Sequence, residues 1–219
     1  MDELQTAHCV RHRAIDELVL GAMDAGYTQI VSLGAGYEMR ATRFRREGVR
    51  WWEVDHPATM RAKWSRLGSA SRVSREVRTV PLDLERDALD EALAAEAHDP
   101  AQPTCFVLEG LIHYLSRARF GALLDAMAAR ASRRRVILSY IDSDMYHRAP
   151  TLFVRLVQLL REVPCLHFTR PELEAVLAAH GLAGFRAWTN AEQIATFAPE
   201  ASGRPIHLSQ DVASAESSS

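Results

Sequence analysis

A glycine turn and a later acidic residue are the first features of this sequence that could do chemistry. Gly34, Ala35 and Gly36 directly follow the short apolar run Thr28–Leu33. Glycine has no Cβ, so the backbone of such a turn can come close to a ligand. Asp55 follows about 20 residues later, where a carboxylate can accept hydrogen bonds from both hydroxyls of a ribose. This spacing predicts a nucleotide-binding strand–turn–helix–strand unit.

Further acidic residues follow other predicted strands. The acids after predicted strands two to five are Asp55, Asp83, Glu109 and Asp142, and Gly110 stands directly after Glu109. In an open parallel sheet the ligand lies beyond the carboxyl ends of the strands. Four acids on that edge therefore predict polar groups gathered around one ligand.

The elements that must position these residues alternate between strand and helix. Short runs rich in apolar and β-branched residues predict strands at 29–33, 49–54, 77–81, 104–108, 135–141, 184–189 and 206–209. Helical spacing and capping signals predict helices at 4–25, 38–47, 57–67, 86–97, 117–131 and 170–181. We therefore expect an α/β fold, a doubly wound and mostly parallel Rossmann-like sheet of about seven strands. Residues 1–212 would form one domain, and the small, polar residues 213–219 would form a disordered tail.

Composition argues against several other classes of protein. The chain has 219 residues, 47% hydrophobic and 25% charged, with a net charge of −2. Arginines cluster at 40–78 and 133–135, but no aromatic residues interleave with them as a nucleic-acid surface would require. No apolar run approaches the roughly 20 residues of a membrane helix, and the first residues do not resemble a signal peptide. Cys9, Cys105 and Cys165 form no CxxC pair, which predicts neither a disulfide framework nor a metal site. We expect a cytoplasmic protein.

Five motifs occur together in the order and spacing of one known family. L-G-A-G-Y-E-M-R-A-T-R-F (33–44) resembles the L-G-A-G-x-D-x-R-x-x-R-L turn of the leucine carboxyl methyltransferase family, which are class I S-adenosylmethionine-dependent O-methyltransferases. E-V-D-H-P-A-T-M-R-A-K (53–63) is similar to V-D-x-P-x-V-x-x-x-K, P-L-D-L (81–84) continues the match, and V-L-E-G-L-I-H-Y-L (107–115) resembles A-E-G-x-x-x-Y-L. Arg13-Ala14-Ile15-Asp16 resembles the family's R-T-x-x-I-D.

The resemblance implies S-adenosyl-L-methionine as the cofactor and a role for each matching residue. The glycine turn would pass under its methionine part, and Asp55, next to His56, would bind the ribose. Asp83 and Leu84 would hold the adenine. Glu109, followed by Gly110, would lie near the amino group or sulfonium, and Arg13 would bind the carboxylate. An acid-lined site agrees with a cofactor that carries a sulfonium and an ammonium group.

Departures from the family pattern concern the methyl acceptor. Only 33 residues precede Gly34, so we expect a reduced cover over the site. Glu38-Met39 replaces the usual Asp-Thr, and His113 stands where an aliphatic residue is common. These changes favour a carboxylate or hydroxyl of a small metabolite or peptide, in specialised metabolism, over a protein-terminal leucine.

Catalysis depends on which group accepts the methyl. A carboxylate is already ionised and needs no base, whereas a hydroxyl needs one. His113 is the first candidate for that base, since it follows strand four and histidine titrates near neutrality; the alternative is a structural histidine. Tyr114, Tyr140, Tyr146 and His147 could line the acceptor pocket or serve only in packing.

Two other functions stay open at this point. A nicotinamide-dependent oxidoreductase would use a similar fold, but G-A-G-Y-E-M lacks the third glycine of G-x-G-x-x-G/A. A cofactor-binding partner subunit without catalysis is the third reading. The apolar stretch Thr151–Val163 could belong to the core, cover the acceptor pocket or form a homodimer face.

Overall fold

The computed structural model of the chain describes residues 3–67, 77–148, 166–201 and 210–217. The strands are β1 (Gln29–Leu33), β2 (Arg50–Asp55), β3 (Val77–Pro81), β4 (Thr104–Leu108), β5 (Arg134–Tyr140), β6 (Leu182–Trp188) and β7 (Asp211–Ser217). The helices are α1 (Glu3–Asp24), α2 (Arg40–Arg43), α3 (Pro57–Leu67), α4 (Leu89–Ala95), α5 (Arg117–Arg130), α6 (Ser143–Arg148), α7 (Arg170–Ala179) and α8 (Asn190–Phe197). Short 3₁₀ helices span Ile112–Tyr114 and Pro199–Ala201.

One seven-stranded sheet runs through the described residues, in the order β3-β2-β1-β4-β5-β7-β6. β1 to β5 are parallel, and β7 is antiparallel to both β5 and β6. The strand order reverses between β1 and β4, which is where an open α/β sheet leaves a crevice for a ligand. The doubly wound, mostly parallel sheet predicted from the sequence is confirmed.

Helices cover both faces of this sheet. On one face Leu93 of α4, Phe120 of α5 and Leu177 of α7 pack on the strands. On the other face Ile15 and Val19 of α1 lie in a second buried cluster. All residues of β1 and β4 are buried, because strands in the middle of a doubly wound sheet are covered on both sides.

The C-terminal segment corrects the sequence prediction. We expected residues 213–219 to be a disordered tail, but Ala213 to Ser217 belong to β7, between β5 and β6. Ala213 and Ala215 are buried and pair with Leu138 and Val136. A small, polar sequence carries little strand propensity of its own, so pairing on both sides decides its conformation.

Other predicted bounds changed less. The helix expected at 38–47 is reduced to Arg40–Arg43, and residues 143–148, expected to be irregular, form α6. Thr169 caps α7 with Glu172 in the predicted capping box. The apolar stretch Thr151–Val163, Cys165 and the strand expected at 206–209 lie outside the described residues. Among the described helices, none has the length and apolar character needed to cross a membrane.

Candidate functional site

The glycine turn after β1 is tightly bound to β2. Gly34 and Ala35 both donate backbone hydrogen bonds to the carbonyl of Val54, at 2.8 and 3.1 Å. Gly34 has a φ of +66°, and a Cβ there would come within 3.0 Å of the Leu111 side chain. Gly36 also has a positive φ, +47°. Glycine is therefore needed at this turn for both its backbone conformation and its lack of a side chain.

Asp55, the last residue of β2, joins the glycine turn to the strand edge. Its Oδ2 accepts a hydrogen bond from the Gly36 amide at 2.6 Å, and its Oδ1 accepts one from the His56 amide at 2.6 Å. A carboxylate has about four lone-pair positions, so both oxygens can accept further bonds. His56 is exposed, and its Nδ1 accepts from the Ala58 amide, which places that ring at the start of α3.

Asp83 and Leu84 follow β3 on the same edge of the sheet. Asp83 Oδ1 accepts from the Glu85 amide at 3.0 Å, and the Leu84 side chain is buried. Arg119 donates to the carbonyl of Leu84. The segment is thus held by its own turn and by α5.

Buried charges converge on the end of β4. We call this group the Arg40 cluster; its members are Arg11, His12, Asp16, Glu38, Arg40 and Glu109. The Arg40 side chain is only 1% exposed and donates to Asp16 at 2.7 Å, to Glu109 at 2.6 Å and to Glu38. Glu109 Oε1 also accepts from Arg11 Nε at 2.9 Å and lies 3.0 Å from His12 Nδ1. Two guanidinium groups and a histidine ring therefore surround one carboxylate.

The Arg40 cluster decides the ionisation of Glu109. Burial by itself would raise the pKa of Glu109, but the hydrogen bond from His12 and the charges of Arg40 and Arg11 lower that pKa far below its ordinary value. Both of its oxygens already have cationic partners, so neither is free for an ammonium group. Glu38 Oε1, by contrast, is buried and has no hydrogen-bond partner among the described residues.

Arg13 does not reach this cluster. Its side chain is 63% exposed, lies 3.9 Å from Glu17 and stacks over the Phe197 ring. Arg11, two positions earlier, contacts Glu109 instead. In R-T-x-x-I-D the arginine precedes the aspartate by five positions, and Arg11 has that spacing to Asp16. The spacing of the motif was thus the signal that points to Arg11.

His113 is buried in the 3₁₀ helix that follows β4. Burial, together with the nearby charge of Arg11, lowers its pKa to about 4. Its Nδ1 lies 3.4 Å from Nε2 of Gln210, and its ring lies against that of Tyr114. Gly110, with a φ of +63°, is linked to the same region because its amide donates to Ser139 Oγ at 2.8 Å.

The structure separates the predicted tyrosines and His147. Tyr114 is half exposed beside His113. Tyr140 is buried and hydrogen-bonded to Asp211; burial, then the charge of Asp211, raises its pKa. Tyr146 stacks on His167 with ring centroids 4.8 Å apart. The backbone of His147 lies in α6.

Several residues of this edge did not emerge from the sequence. Arg40 and Asp16 occur in the sequence only as members of the motifs at 33–44 and 13–16, and neither motif indicates a buried cluster of charges. Gln210 and Asp211 stand at the start of a strand that was predicted to lie elsewhere, so no local signal marked them. Within the described parts of the chain, no group of His, Cys, Asp and Glu could hold a metal ion.

Comparison with known proteins assigns this site to a family. The family model named leucine carboxyl methyltransferase matches residues 1–128, more than half of the chain. The chain belongs to the leucine carboxyl methyltransferase family. The matched part contains the glycine turn, Asp55, Asp83 and the Arg40 cluster.

Relatives within this family agree with the match. A protein of Frankia alni, assigned by name to the S-adenosyl-L-methionine-dependent methyltransferases, is 40% identical over 136 residues, which cover 60% of this chain and 47% of that protein. A protein of Streptomyces coelicolor with the same assignment is 44% identical over 125 residues, covering 56% of this chain and 44% of that protein. The chain thus spans about half the length of the curated relatives it matches. S-adenosyl-L-methionine is the cofactor that the names of both relatives give.

A solved structure confirms the class I methyltransferase fold. The crystal structure of a protein from Thermobifida fusca, assigned to the methyltransferases, superposes with a TM-score of 0.68 at 15% sequence identity. The superposition covers 99% of this chain and 82% of that one. At this identity the likeness concerns the fold alone.

Proposed function

We propose that this chain is an S-adenosyl-L-methionine-dependent O-methyltransferase that methylates a carboxylate or hydroxyl of a small metabolite or peptide in specialised metabolism. The observation that carries the proposal is Asp55 at the tip of β2, bound through its Oδ2 to the Gly36 amide. That contact places an ionisable acceptor directly beside a glycine turn at the strand edge. The family assignment supports the same cofactor.

The residues at this edge fit the cofactor. Among the described residues, apart from the glycine's own chain neighbours, an ideal Cβ at Gly110 would meet no atom within 4 Å, and one at Gly36 would meet only the Gly34 carbonyl, at 3.9 Å. There is thus open space beside two backbone segments with positive φ. Asp55 keeps lone pairs for two hydroxyls, and Glu38 Oε1 is a buried anionic oxygen that lacks a hydrogen-bond donor in the described structure.

Each part of the cofactor then has a candidate partner. Asp55 would accept from the ribose hydroxyls, and Asp83 with Leu84 would hold the adenine. The free oxygen of Glu38 would accept from the ammonium group. Arg11 would face the carboxylate, since a guanidinium binds carboxylates with two parallel hydrogen bonds.

The chemistry needs alignment more than it needs proton transfer. When bound, the cofactor would supply an electrophilic methyl group to the acceptor oxygen, with its sulfur as the leaving group; a carboxylate acceptor would lose no proton, and a hydroxyl acceptor would pass its proton to solvent or to a base. The chain's own residues hold the two reactants in line and exclude water. The buried Arg40 cluster does this by fixing α1, α2 and the end of β4 to one another.

Calorimetry tests the cofactor. We expect S-adenosylhomocysteine to bind the wild-type chain and NAD not to bind. Asp55→Asn should weaken S-adenosylhomocysteine at least about tenfold, since one or two hydrogen bonds to a charged acceptor are lost. Asp125→Asn, a matched change at an exposed carboxylate of α5, should have less effect. NAD binding without binding of either sulfur ligand would refute the proposal.

Acceptor profiling tests the reaction. The chain is incubated with methyl-labelled cofactor and two sets of small molecules and peptides, one bearing carboxylates and the other hydroxyls. Label transfer to oxygen in either set supports O-methylation. Cofactor binding with no transfer to any acceptor would favour a non-catalytic partner subunit.

A further inference from the structure

A chain of hydrogen bonds connects His113 to β5 and to the start of β7. The Gly110 amide donates to Ser139 Oγ at 2.8 Å, and Ser139 Oγ contacts Gln210 Oε1 at 2.6 Å. Gln210 Nε2 lies 3.4 Å from His113 Nδ1. Residue 210 is 97 positions from His113, so only the fold brings the two together.

The serine sets the orientation of the Gln210 amide. Ser139 Oγ already accepts a proton from Gly110, so its own hydroxyl proton is available for Gln210. A separation of 2.6 Å is typical of O–H···O and short for N–H···O. The amide oxygen of Gln210 therefore faces Ser139, and its NH₂ group faces the histidine.

This orientation determines which nitrogen of His113 carries the proton. An NH₂ group is a donor only, so the Nδ1 opposite it must be the acceptor. In a neutral imidazole the other nitrogen then carries the hydrogen. The low pKa of His113, caused first by burial and then by the charge of Arg11, keeps the ring neutral. Within the described residues, no hydrogen bond is made at Nε2 of His113.

We propose that Gln210 is a positioning residue that holds His113 in its Nε2–H tautomer, and that this N–H donates a hydrogen bond to the carboxylate of the acceptor whose oxygen receives the methyl group. The inference rests on the proposed methyl transfer and changes the role predicted for His113 from general base to hydrogen-bond donor. Such a donor orients a lone-pair-bearing acceptor and takes no proton from it.

The tautomer is measured without any activity assay. Long-range ¹⁵N–¹H NMR of the labelled full chain distinguishes protonated from unprotonated ring nitrogens, and His113→Asn assigns the signal. We expect protonated Nε2 and unprotonated Nδ1 in the wild type at pH 7. In Gln210→Glu a carboxylate oxygen should face the ring, and the proton should move to Nδ1. Gln102→Glu adds the same charge at an exposed loop and should leave the spectrum of His113 unchanged.

Methyl transfer by the same variants tests the role. Wild-type kcat should show no titration of His113 between pH 6 and 9, because the pKa of His113 is about 4. The kcat of Gln210→Glu should fall about tenfold as pH rises through this range. In that variant the imidazolium at low pH still presents Nε2–H, and its deprotonation removes this hydrogen. The charged and titratable groups facing His113 are Arg11 of α1 and Tyr114, while β5 and residue 210 contribute only Ser139 and Gln210.

These experiments distinguish a failure of this proposal from a failure of the proposed function. A wild-type ring protonated at Nδ1, or activity of Gln210→Glu that rises with pH, would overturn the donor role. Failure to bind S-adenosylhomocysteine would refute the methyltransferase and leave the NMR result standing. Nε2–H in the wild type together with the proton shift in Gln210→Glu supports the assignment of Gln210.

Discussion

Acid should destabilise this protein through His98, a buried residue far from the glycine turn. Its side chain lies edge-on to Trp52, with ring centroids 5.0 Å apart, and its Nε2 lies 3.3 Å from Gln29 Nε2 and 3.1 Å from Thr104 Oγ1. The Gln29 amide can only donate there, so the folded protein needs an unprotonated Nε2. Burial, followed by the charges of Arg130 and Arg50, lowers the pKa of His98 from 6.5 to about 4.

The size of this destabilisation follows from the difference between the pKa values of His98 in the folded and the unfolded chain. Between pH 6.5 and 4 the unfolded chain binds a proton at this residue and the folded chain does not, so stability falls as pH decreases. A shift from 6.5 to about 4 corresponds to ~2 kcal/mol lost at pH 5 relative to pH 7.5. Well below pH 4 the loss approaches ~3.4 kcal/mol.

Urea unfolding of wild type and His98→Gln at pH 7.5 and 5.0 measures this contribution. Glutamine cannot titrate but can still offer an acceptor to Gln29. We expect the wild type to lose about 2 kcal/mol more than the variant between the two pH values. An equal pH dependence in wild type and His98→Gln would refute the reasoning.

Three further predictions concern buried residues. Arg40→Met should reduce the free energy of unfolding by about 3–5 kcal/mol in urea, because it removes the buried cation that Asp16, Glu38 and Glu109 share; an unchanged midpoint would contradict the cluster. Burial raises the pKa of Asp211 from 3.8 to about 6. The folded chain therefore binds this proton more tightly than the unfolded chain, so the stabilisation is complete below pH 3.8 and is lost as pH rises through 6. Asp211→Asn should therefore be more stable than wild type at pH 8, by up to ~3 kcal/mol, and a less stable variant in urea at that pH would contradict the linkage. Gly34→Ala should lower stability by about 1–2 kcal/mol because of its positive φ, whereas Gly21→Ala, in a helix with open space, should not; equal effects in thermal unfolding would argue against strain at the turn.

Much of the fold was predictable because its signals are local. β1, β3 and β4 have the bounds expected from their sequences, and α7 begins at the capping box expected at Thr169. Each of these features depends on residues within a few positions of one another. β7 was not predicted because its residues form a strand only by pairing with β5 and β6. The sequence of β7 itself carries no signal of these two partners.

The candidate site likewise contains residues that local sequence predicted and contacts that only the folded chain forms. The glycine turn, Asp55 and Asp83 were found from spacing alone, since strand ends and tight turns impose their residue types locally. The partner of each buried charge was not: Arg40 meets Glu109 across 69 positions, Arg11 meets Glu109 across 98, and Gln210 meets His113 across 97. Local pattern thus predicted the glycine turn with the acids at the strand ends, the family and the cofactor. The packing of distant segments decided that Glu109 is already paired and that a glutamine faces His113, because hydrogen-bond partners and burial exist only once the chain has folded.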